Sequence, residues 1–178
     1  MRAFIFDTET TGLVKNSLVA LENQPRIIEF FGHLVDSETG AVEDEIEFFC
    51  YPGVQIEPII TRITGITNEQ LKDADRFDVY ADRVCKMIAR ADAVVAHNLS
   101  FDMALVEADC ARCSCVPAWP KRLVCTVEET EWMRGHRLSL TALHEELFGE
   151  TFPSAHRARN DVTALTKCYL ELCKRGEL

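Results

Sequence analysis

Two acidic side chains near the start of the chain could hold a metal ion. Asp7 and Glu9 lie two residues apart at the end of an apolar segment, and the twofold periodicity of a strand points both carboxylates to the same face. Adjacent carboxylates repel each other unless a cation lies between them. We interpret the pair as candidate ligands for a hard divalent cation, although two solvated acids at a strand end would show the same spacing.

Asp102 and Asp161 extend this candidate site. Asp102 follows a short apolar strand and lies in the first turn of a predicted helix, where an acid also interacts favourably with the helix dipole. The strand ends at Ala96 and Asp7 meet at one sheet edge if the two strands are parallel, and open α/β sheets bind ligands outside the carboxyl ends of their strands. His156 precedes the last predicted helix, and Asp161 lies in its early turns.

Hydrophobic periodicity predicts the elements that position these residues. The predicted strands are Arg2–Asp7, Arg26–Val35, Glu45–Tyr51, Ala93–Ala96 and Leu123–Cys125. The predicted helices are Phe77–Arg90, Leu99–Ala111, Thr126–Met133, Ser139–Phe148 and Arg157–Lys174, with Ser100 and Ser139 as N-caps. Thr8–Gly12 is expected to leave the first strand, and Pro52–Asn68 is expected to be a loop. This order predicts an α/β fold whose mixed sheet has three largely antiparallel strands and two parallel ones.

Length and composition restrict the class of protein. The 178 residues fit a single domain over 1–178, and 47% hydrophobic with 27% charged residues is typical of a globular chain rather than a disordered, collagenous or coiled-coil one. No apolar run is long enough to cross a bilayer, and the first residues do not resemble a secretory signal. We therefore expect a cytoplasmic protein without a membrane partner.

The charge balance limits how the chain could contact nucleic acid. The net charge is −10, which repels a polyanion, so such contacts would have to be short, local or assisted by cations. Arg157 and Arg159 lie directly after His156 in the chain and are the better candidates for contact with backbone phosphates. Other basic groups, Lys121-Arg122 and Arg134 to Arg137, are interpreted as a solvated face.

The remaining distinctive residues are interpreted structurally. Glu29 lies within a predicted strand, where it would face solvent or a neighbouring base, and Trp119 and Trp132 are expected to pack. Eight cysteines without a secretory signal are interpreted as thiols. The run Cys110-x-x-Cys113-x-Cys115, with Cys125 ten residues later, leaves a zinc site open as the alternative to free thiols.

Three motifs in order resemble those of the DEDDh, or DnaQ-like, exonucleases, which include the proofreading epsilon subunit of bacterial DNA polymerase III, ribonuclease T and oligoribonuclease. The resemblance extends from residue 3 to about residue 172. The motifs are Asp7-Thr8-Glu9-Thr10-Thr11-Gly12, His97-Asn98-Leu99-Ser100-Phe101-Asp102 and His156-x-Ala158-x-x-Asp161. Pro25 to Glu29, Ile63 to Thr67 and His136 to Leu140 provide weaker matches.

The resemblance implies a ribonuclease H-like fold, with five mixed strands in the order 3-2-1-4-5 flanked by helices. It also implies two divalent cations, Mg²⁺ or Mn²⁺, bridged by Asp7. Glu9 and Asp161 would complete one ion site, Asp102 would serve the other, and His156 would take a proton from the attacking water. Oxygen ligands, a cation pair and a histidine base suit the hydrolysis of an anionic phosphodiester.

Further residues of these motifs are implied to bind substrate. Thr10, Thr11 and Gly12 would line the terminal nucleotide, and Ile66 would pack on its base. The other candidate substrate-binding residues are His97, Asn98, Phe101, Arg157 and Arg159.

The function implied is that of a metal-dependent 3′–5′ exonuclease that releases 5′-mononucleotides from single-stranded DNA ends. An exoribonuclease or oligoribonuclease-like enzyme is one alternative, and a catalytically silent accessory subunit of a polymerase is another. We expect a free-standing enzyme, or one that associates transiently with a polymerase or replication partner, and dimerisation stays open.

Overall fold

A five-stranded mixed sheet forms the centre of the protein. The computed structural model describes residues 1–16, 18–152 and 156–178. The strands are β1 (Arg2–Thr10), β2 (Ile27–Asp36), β3 (Val42–Phe49), β4 (Ala93–Ala96) and β5 (Arg122–Cys125). Their order is β3-β2-β1-β4-β5, with β1–β2 and β2–β3 antiparallel and β1–β4 and β4–β5 parallel. The predicted fold class, strand order and mixed pairing are confirmed.

Helices cover both faces of this sheet. Those in the described residues are α1 (Pro58–Thr64), α2 (Asn68–Leu71), α3 (Asp78–Arg90), α4 (Leu99–Arg112), α5 (Thr126–Glu129), α6 (Leu140–Phe148) and α7 (Ala158–Arg175). Two short 3₁₀ helices, Leu21–Asn23 and Glu131–Met133, lie in connections. No helix among the described residues combines the length and the apolar character needed to cross a bilayer.

Several predicted boundaries were wrong. The segment 52–68 is not all loop, because Pro58 begins α1 and Gly65 ends it in the left-handed region at φ 73°. The predicted helix Thr126–Met133 divides into α5 and a 3₁₀ helix. Ser100 does not cap α4, since Asn98 is the N-cap residue, at φ 75° and without a side-chain cap bond. The Ser139 cap is confirmed, because its Oγ accepts from the backbone N–H of Ala142 at 3.2 Å.

The alternation of β1 separates two cores. Phe4 and Phe6 point to the face that α3 and α4 cover, and they stack with Phe30 of β2. Gly32 allows this approach, because a Cβ atom there would lie 2.8 Å from the Phe4 ring. Ala3 and Ile5 point to the opposite face and pack on α7. Asp7 and Glu9 continue that second set, so the fold places both acids on the side of α7.

The two tryptophans differ in their environment. Trp119 packs as expected, with its ring centroid 6.3 Å from that of Phe6 and its Nε1 donating to Glu107 Oε1 at 3.0 Å. Trp132 is 63% exposed, so its predicted packing role was wrong. It lies in the 3₁₀ helix that replaces the end of the predicted helix, where the shorter turn leaves the ring outside the core.

Candidate active site

Asp7 and Glu9 lie at the carboxyl end of β1. The strand continues to Thr10, beyond the predicted exit at Asp7, so both acids are held by sheet pairing rather than by a loop. Asp7 lies opposite Phe31 and Glu9 opposite Glu29 of β2. Both acidic side chains are half-buried. Strand geometry therefore fixes their relative position, as the spacing predicts.

Asp102 is brought to the same sheet edge by the parallel pairing of β1 with β4. It lies in the first turn of α4 and is 2% exposed. Its Oδ1 accepts two hydrogen bonds from Thr8, from the backbone N–H at 3.1 Å and from the hydroxyl at 2.7 Å. Thr8 therefore ties α4 to β1 and fixes the orientation of the carboxylate. Sequence reasoning missed this role, because Thr8 points to the opposite face from its acidic neighbours and only the fold brings α4 there.

Asp161 and His156 meet at the start of α7. The backbone N–H of His156 donates to Asp161 Oδ2 at 2.8 Å, and His156 has a left-handed φ of 68°. Its side chain is exposed. Single ligand atoms of Glu9, His156 and Asp161 all lie within 4.8 Å of one another. The structure thus brings the first and third motifs together.

The acids of this site oppose each other's ionisation. Burial, followed by the charges of Asp102 and Glu9, raises the pKa of Asp7 well above its usual range. Burial, followed by the charge of Asp161, raises the pKa of Glu9 to about 8. Burial also raises the pKa of Asp102 to about 7 and that of Asp161 to about 6, against hydrogen bonds that favour the charged forms. Four clustered carboxylates that repel one another provide a site that divalent cations would stabilise.

Glu29 and Arg157 form a buried ion pair beside these acids. Of the two surroundings predicted for Glu29, solvent or a neighbouring base, the base is confirmed: Glu29 is 1% exposed and pairs with Arg157. Arg157 Nη2 donates to Glu29 Oε1 at 2.8 Å, and the backbone N–H of Ala158 donates to Glu29 Oε2 at 3.2 Å. Glu29 therefore accepts from the first N–H of α7. Arg157 is committed to this pair rather than free for phosphate, because the buried carboxylate requires a compensating charge.

Arg159 is also engaged within the protein. Its Nε donates to Glu47 Oε1 at 2.8 Å and its Nη2 to Glu45 Oε1 at 2.9 Å, and its guanidinium lies 4.4 Å from the Phe31 ring centroid. Both glutamates belong to β3, so the Arg159 side chain extends from the start of α7 to that strand. Both arginines that were predicted to bind phosphate thus form ion pairs within the described residues.

A cavity of about 830 Å³ opens beside Glu9 and His156. Thr10, Thr11, Gly12 and Phe101 line it, as expected for substrate-binding residues, whereas His97 and Asn98 do not. The hydroxyl of Thr10 donates to the backbone oxygen of Gly12 at 2.6 Å, which holds the turn at the cavity rim. Apolar and basic residues that sequence reasoning missed also line the cavity: Leu13, Lys15, Arg26, Val54, Ile59, Ile60 and Ile63.

The prediction that Ile66 packs on a base was wrong for the described structure. Its side chain is 0% exposed and packs with Ile28, Ile56 and Leu71. Gly65 ends α1 just before it and directs the chain inward. Ile63, three residues earlier, is 48% exposed and lines the cavity instead. The two isoleucines differ because Ile63 lies within α1 and Ile66 lies beyond its end at Gly65. The sequence predicted a loop over this segment and therefore did not distinguish them.

His97 serves the fold around the site. Its Nδ1 lies 2.9 Å from the Thr126 hydroxyl, and its Nε2 lies 3.1 Å from the backbone oxygen of Leu138. Burial lowers its pKa to about 4. This neutral histidine joins the end of β4 to α5 and to the segment before α6, whereas Asn98 is exposed at the start of α4.

The cysteines do not assemble a metal site in the described residues. Cys125 lies at the end of β5, and no three cysteine sulfurs lie within 4.8 Å of one another. Cys85, which sequence reasoning left out, is the cysteine beside Cys110, at an Sγ–Sγ distance of 3.8 Å. Burial raises the pKa of both thiols, which disfavours the thiolate that a metal requires. All eight cysteines are free thiols.

Comparison with known proteins gives concordant results. The model of the exonuclease family described as RNase_T matches residues 4–169. DNA polymerase III of the PolC type from Bacillus subtilis is 28% identical over 177 residues, which cover 96% of this chain and 11% of that protein. The Listeria welshimeri PolC-type polymerase is 38% identical over 103 residues, 58% of this chain and 6% of that protein. The chain thus spans about a tenth or less of the length of these curated relatives.

Solved structures share the fold. The nuclease domain of 3′hExo, a DEDDh family member bound to rAMP, is 18% identical with a TM-score of 0.78, over 98% of this chain and 92% of that one. Escherichia coli ExoI, in a zinc-bound complex with single-stranded DNA, is 19% identical with a TM-score of 0.80, over 98% of this chain and 41% of that one. Since the family model covers almost the whole chain and the fold gathers the acids of all three motifs, the chain belongs to the exonuclease family described as RNase_T.

Proposed function

We propose that this enzyme removes 5′-mononucleotides one at a time from the 3′ ends of single-stranded DNA, with two divalent cations, Mg²⁺ or Mn²⁺. The observation that carries the proposal is the cluster of Asp7, Glu9, Asp102 and Asp161. Burial raises the pKa values of all four acids, and the charges of acidic neighbours raise those of Asp7 and Glu9 further. Such a cluster is stable in its charged form only with cations bound. Divalent ions there supply positive charge to the attacking and leaving oxygens of a phosphodiester.

The side chains then divide the work. Asp7 would be the ligand shared by the two cations, Glu9 and Asp161 would complete one ion site, and Asp102 would serve the other. His156 is exposed at the cavity rim, and its imidazole accepts a proton from the attacking water. The hydrogen bond from its backbone N–H to Asp161 holds the base beside a metal ligand.

The cavity supports an end-specific mode of binding. Leu13 is 81% exposed and Ile63 is 48% exposed, and both line the cavity with Thr10 and Gly12. Exposed apolar side chains are suited to packing against the faces of an unpaired terminal base. A duplex end would have to fray before its last base could enter.

DNA is proposed over RNA because the similar PolC-type proteins are DNA polymerases, and the alignment with the Bacillus subtilis protein covers 96% of this chain. The same relatives support a replication context and a polymerase as partner. Neither the sugar of the substrate nor the partner follows from the geometry of the acids alone.

The test compares a linear and a circular single-stranded DNA of the same sequence with Mn²⁺. We expect the linear strand to be shortened from its 3′ end to 5′-mononucleotides, and the circle to resist. A 3′-phosphate should block the reaction, and EDTA or the variant Glu9→Gln should abolish it. Efficient cleavage of the circle would contradict the end-specific mode, faster cleavage of matched RNA would contradict the DNA preference, and inactivity on all substrates would favour a silent subunit.

A further inference from the structure

Positive charge near the candidate site is mostly neutralised within the protein. Arg157 pairs with Glu29, and Arg159 pairs with residues of β3. Two other cationic residues line the cavity, Lys15 and Arg26, and neither forms an ion pair within the described residues. A chain of net charge −10 that binds an anionic polymer requires uncompensated cations near its site.

The surroundings of Arg26 are unfavourable for its charge. Its side chain is half-buried, and burial, followed by the charge of Arg112, lowers its pKa. The carboxylate of Asp109 favours the charged form of Arg26. That carboxylate, however, already accepts hydrogen bonds from Arg112 Nη1 at 2.7 Å and from the backbone N–H of Ile27 at 2.9 Å. An anion bound from outside would therefore stabilise a partly desolvated cation that forms no ion pair in the part of the chain that the structure describes.

The backbone places Arg26 directly beyond the acids. The N–H of Thr11 donates to the backbone oxygen of Arg26 at 2.9 Å, and the N–H of Arg26 donates to Thr11 Oγ1 at 3.0 Å. Thr11 follows Glu9 by two residues, so Arg26 lies roughly 7 Å further along the strand direction.

Lys15 extends the same edge of the cavity. Its side chain is exposed, and its backbone N–H donates to Gln24 Oε1 at 3.0 Å, which ties this part of the connection to the segment that leads into Arg26. Both cations therefore approach the cavity from the connection between β1 and β2. The acids approach it from the ends of β1, α4 and α7.

We propose that Arg26, with Lys15, binds a backbone phosphate of the nucleic-acid substrate other than the one that is cleaved. The proposal rests on the proposed function, because it assigns a second phosphate contact to the same substrate. The proposal assigns phosphate binding to Lys15 and Arg26, which form no ion pair in the described residues, instead of to Arg157 and Arg159. The guanidinium groups of those two arginines already form ion pairs. The contact contributes to substrate binding and not to the chemical step.

The test uses two substrates that differ in phosphate number. The p-nitrophenyl ester of thymidine 5′-monophosphate has only the phosphodiester that is cleaved, whereas a linear oligothymidylate has further phosphates. Arg26→Gln removes the charge. Arg83→Gln is the matched control, since Arg83 on α3 pairs with Asp44 of β3 and does not line the cavity. Thermal unfolding of each variant verifies that the fold is intact.

We expect Arg26→Gln to raise KM for the oligonucleotide on the order of tenfold at low salt with little change in kcat. The slope of log(kcat/KM) against log[salt] should become less steep by about 0.7, the value for one phosphate contact on a single strand. Hydrolysis of the p-nitrophenyl ester should match the wild type, and Arg83→Gln should match it on both substrates.

Each other outcome has a distinct meaning. If Arg26→Gln retains the wild-type KM and salt slope on the oligonucleotide, the inference is overturned. An equal loss on both substrates also overturns it, because Arg26 would then act on the cleaved nucleotide or on the fold. If the wild-type protein cleaves neither substrate, the proposed function itself fails.

Discussion

At the scale of single residues, the site depends on carboxylates placed where ionisation is costly. Asp102 is 2% exposed and still accepts two hydrogen bonds from Thr8, which favour its charged form. Asp7 has no described hydrogen bond of this kind, and the charges of its acidic neighbours add to the effect of burial. Asp7 is therefore the residue that gains most from bound cations.

Asp7→Asn should lower the exonuclease rate below detection while the protein stays folded. An amide cannot replace a carboxylate shared by two cations, but its neutral side chain removes a repelling charge from the cluster. The rate in saturating Mn²⁺ and the Tm in EDTA are the measurements, and the Tm should equal or exceed that of the wild type. Asp44→Asn, on the surface of β3, is the control and should retain activity. A substantial residual rate for Asp7→Asn would exclude the shared-ligand role.

Ile63→Ala and Ile66→Ala should have opposite phenotypes. Ile63 is half exposed at the cavity, so its truncation should raise KM for an oligonucleotide with little effect on Tm. Ile66 is fully buried, so its truncation should destabilise the fold by about 2–5 kcal/mol and leave KM nearly unchanged at low temperature. Urea unfolding and steady-state kinetics separate the two effects. A KM effect confined to Ile66→Ala would restore the original expectation for that residue.

At the scale of elements, the start of α7 is the junction that assembles the third motif. Glu29 of β2 accepts from the first N–H of this helix and from Arg157, and Asp161 accepts from the backbone N–H of His156. The sheet thus fixes the helix start through a buried carboxylate, and the helix in turn fixes the turn that carries the histidine. The position of His156 follows from both contacts.

Glu29→Ala should destabilise the protein by about 2 kcal/mol, because it leaves the Arg157 guanidinium and a helix N–H without their acceptor. It should also lower kcat, since the turn at His156 loses its support. Glu45→Ala is the control, because its pair with Arg159 is exposed and contributes about 1 kcal/mol or less. Urea unfolding and kcat are measured together. Similar losses in both variants would show that the burial of Glu29 has no special role.

At the scale of the whole molecule, the acidic cluster links folding stability to pH. Burial and the charges of neighbouring acids raise the pKa of Glu9 to about 8, and burial raises the pKa of Asp102 to about 7, both above the values of an unfolded chain. The folded protein therefore retains protons that the unfolded chain has released, and stability is lost as pH rises through these values. His33 and His97, whose pKa values burial lowers to about 4, act in the opposite direction, but only at lower pH.

In EDTA, the Tm should consequently fall between about pH 7 and pH 8.5, above the range in which His33 and His97 of the unfolded chain lose most of their protons. Mn²⁺ or Mg²⁺ should restore it, with a larger increase at the higher pH, because the ions bind the ionised carboxylates. Asp102→Asn should flatten the metal-free profile. A metal-free Tm that is constant or rises over this range would show that the acids are not held in a repelling cluster.

The sequence by itself determined the fold class, the strand order and the identity of the clustered acids. Alternation in β1 was sufficient to place Asp7 and Glu9 on one face, and the position of Asp102 after β4 was sufficient to place it at the same edge. The fold class and the placement of these acids depend on local periodicity and on the geometry of parallel strands, which a sequence records directly, whereas the strand order was implied by the resemblance to the DEDDh exonucleases. That residues 1–178 form one exonuclease domain stays a prediction.

The tertiary structure alone decided which charged and apolar residues remain available at the site. Arg157 looked free in the sequence, but it is neutralised by a glutamate 128 positions away in the chain. Arg26 is half-buried and forms no ion pair within the described residues, which its place in the sequence does not indicate. The left-handed Gly65 turns Ile66 inward while Ile63 stays at the cavity. Partnership and exposure arise from contacts between distant segments, so periodicity and spacing do not encode them.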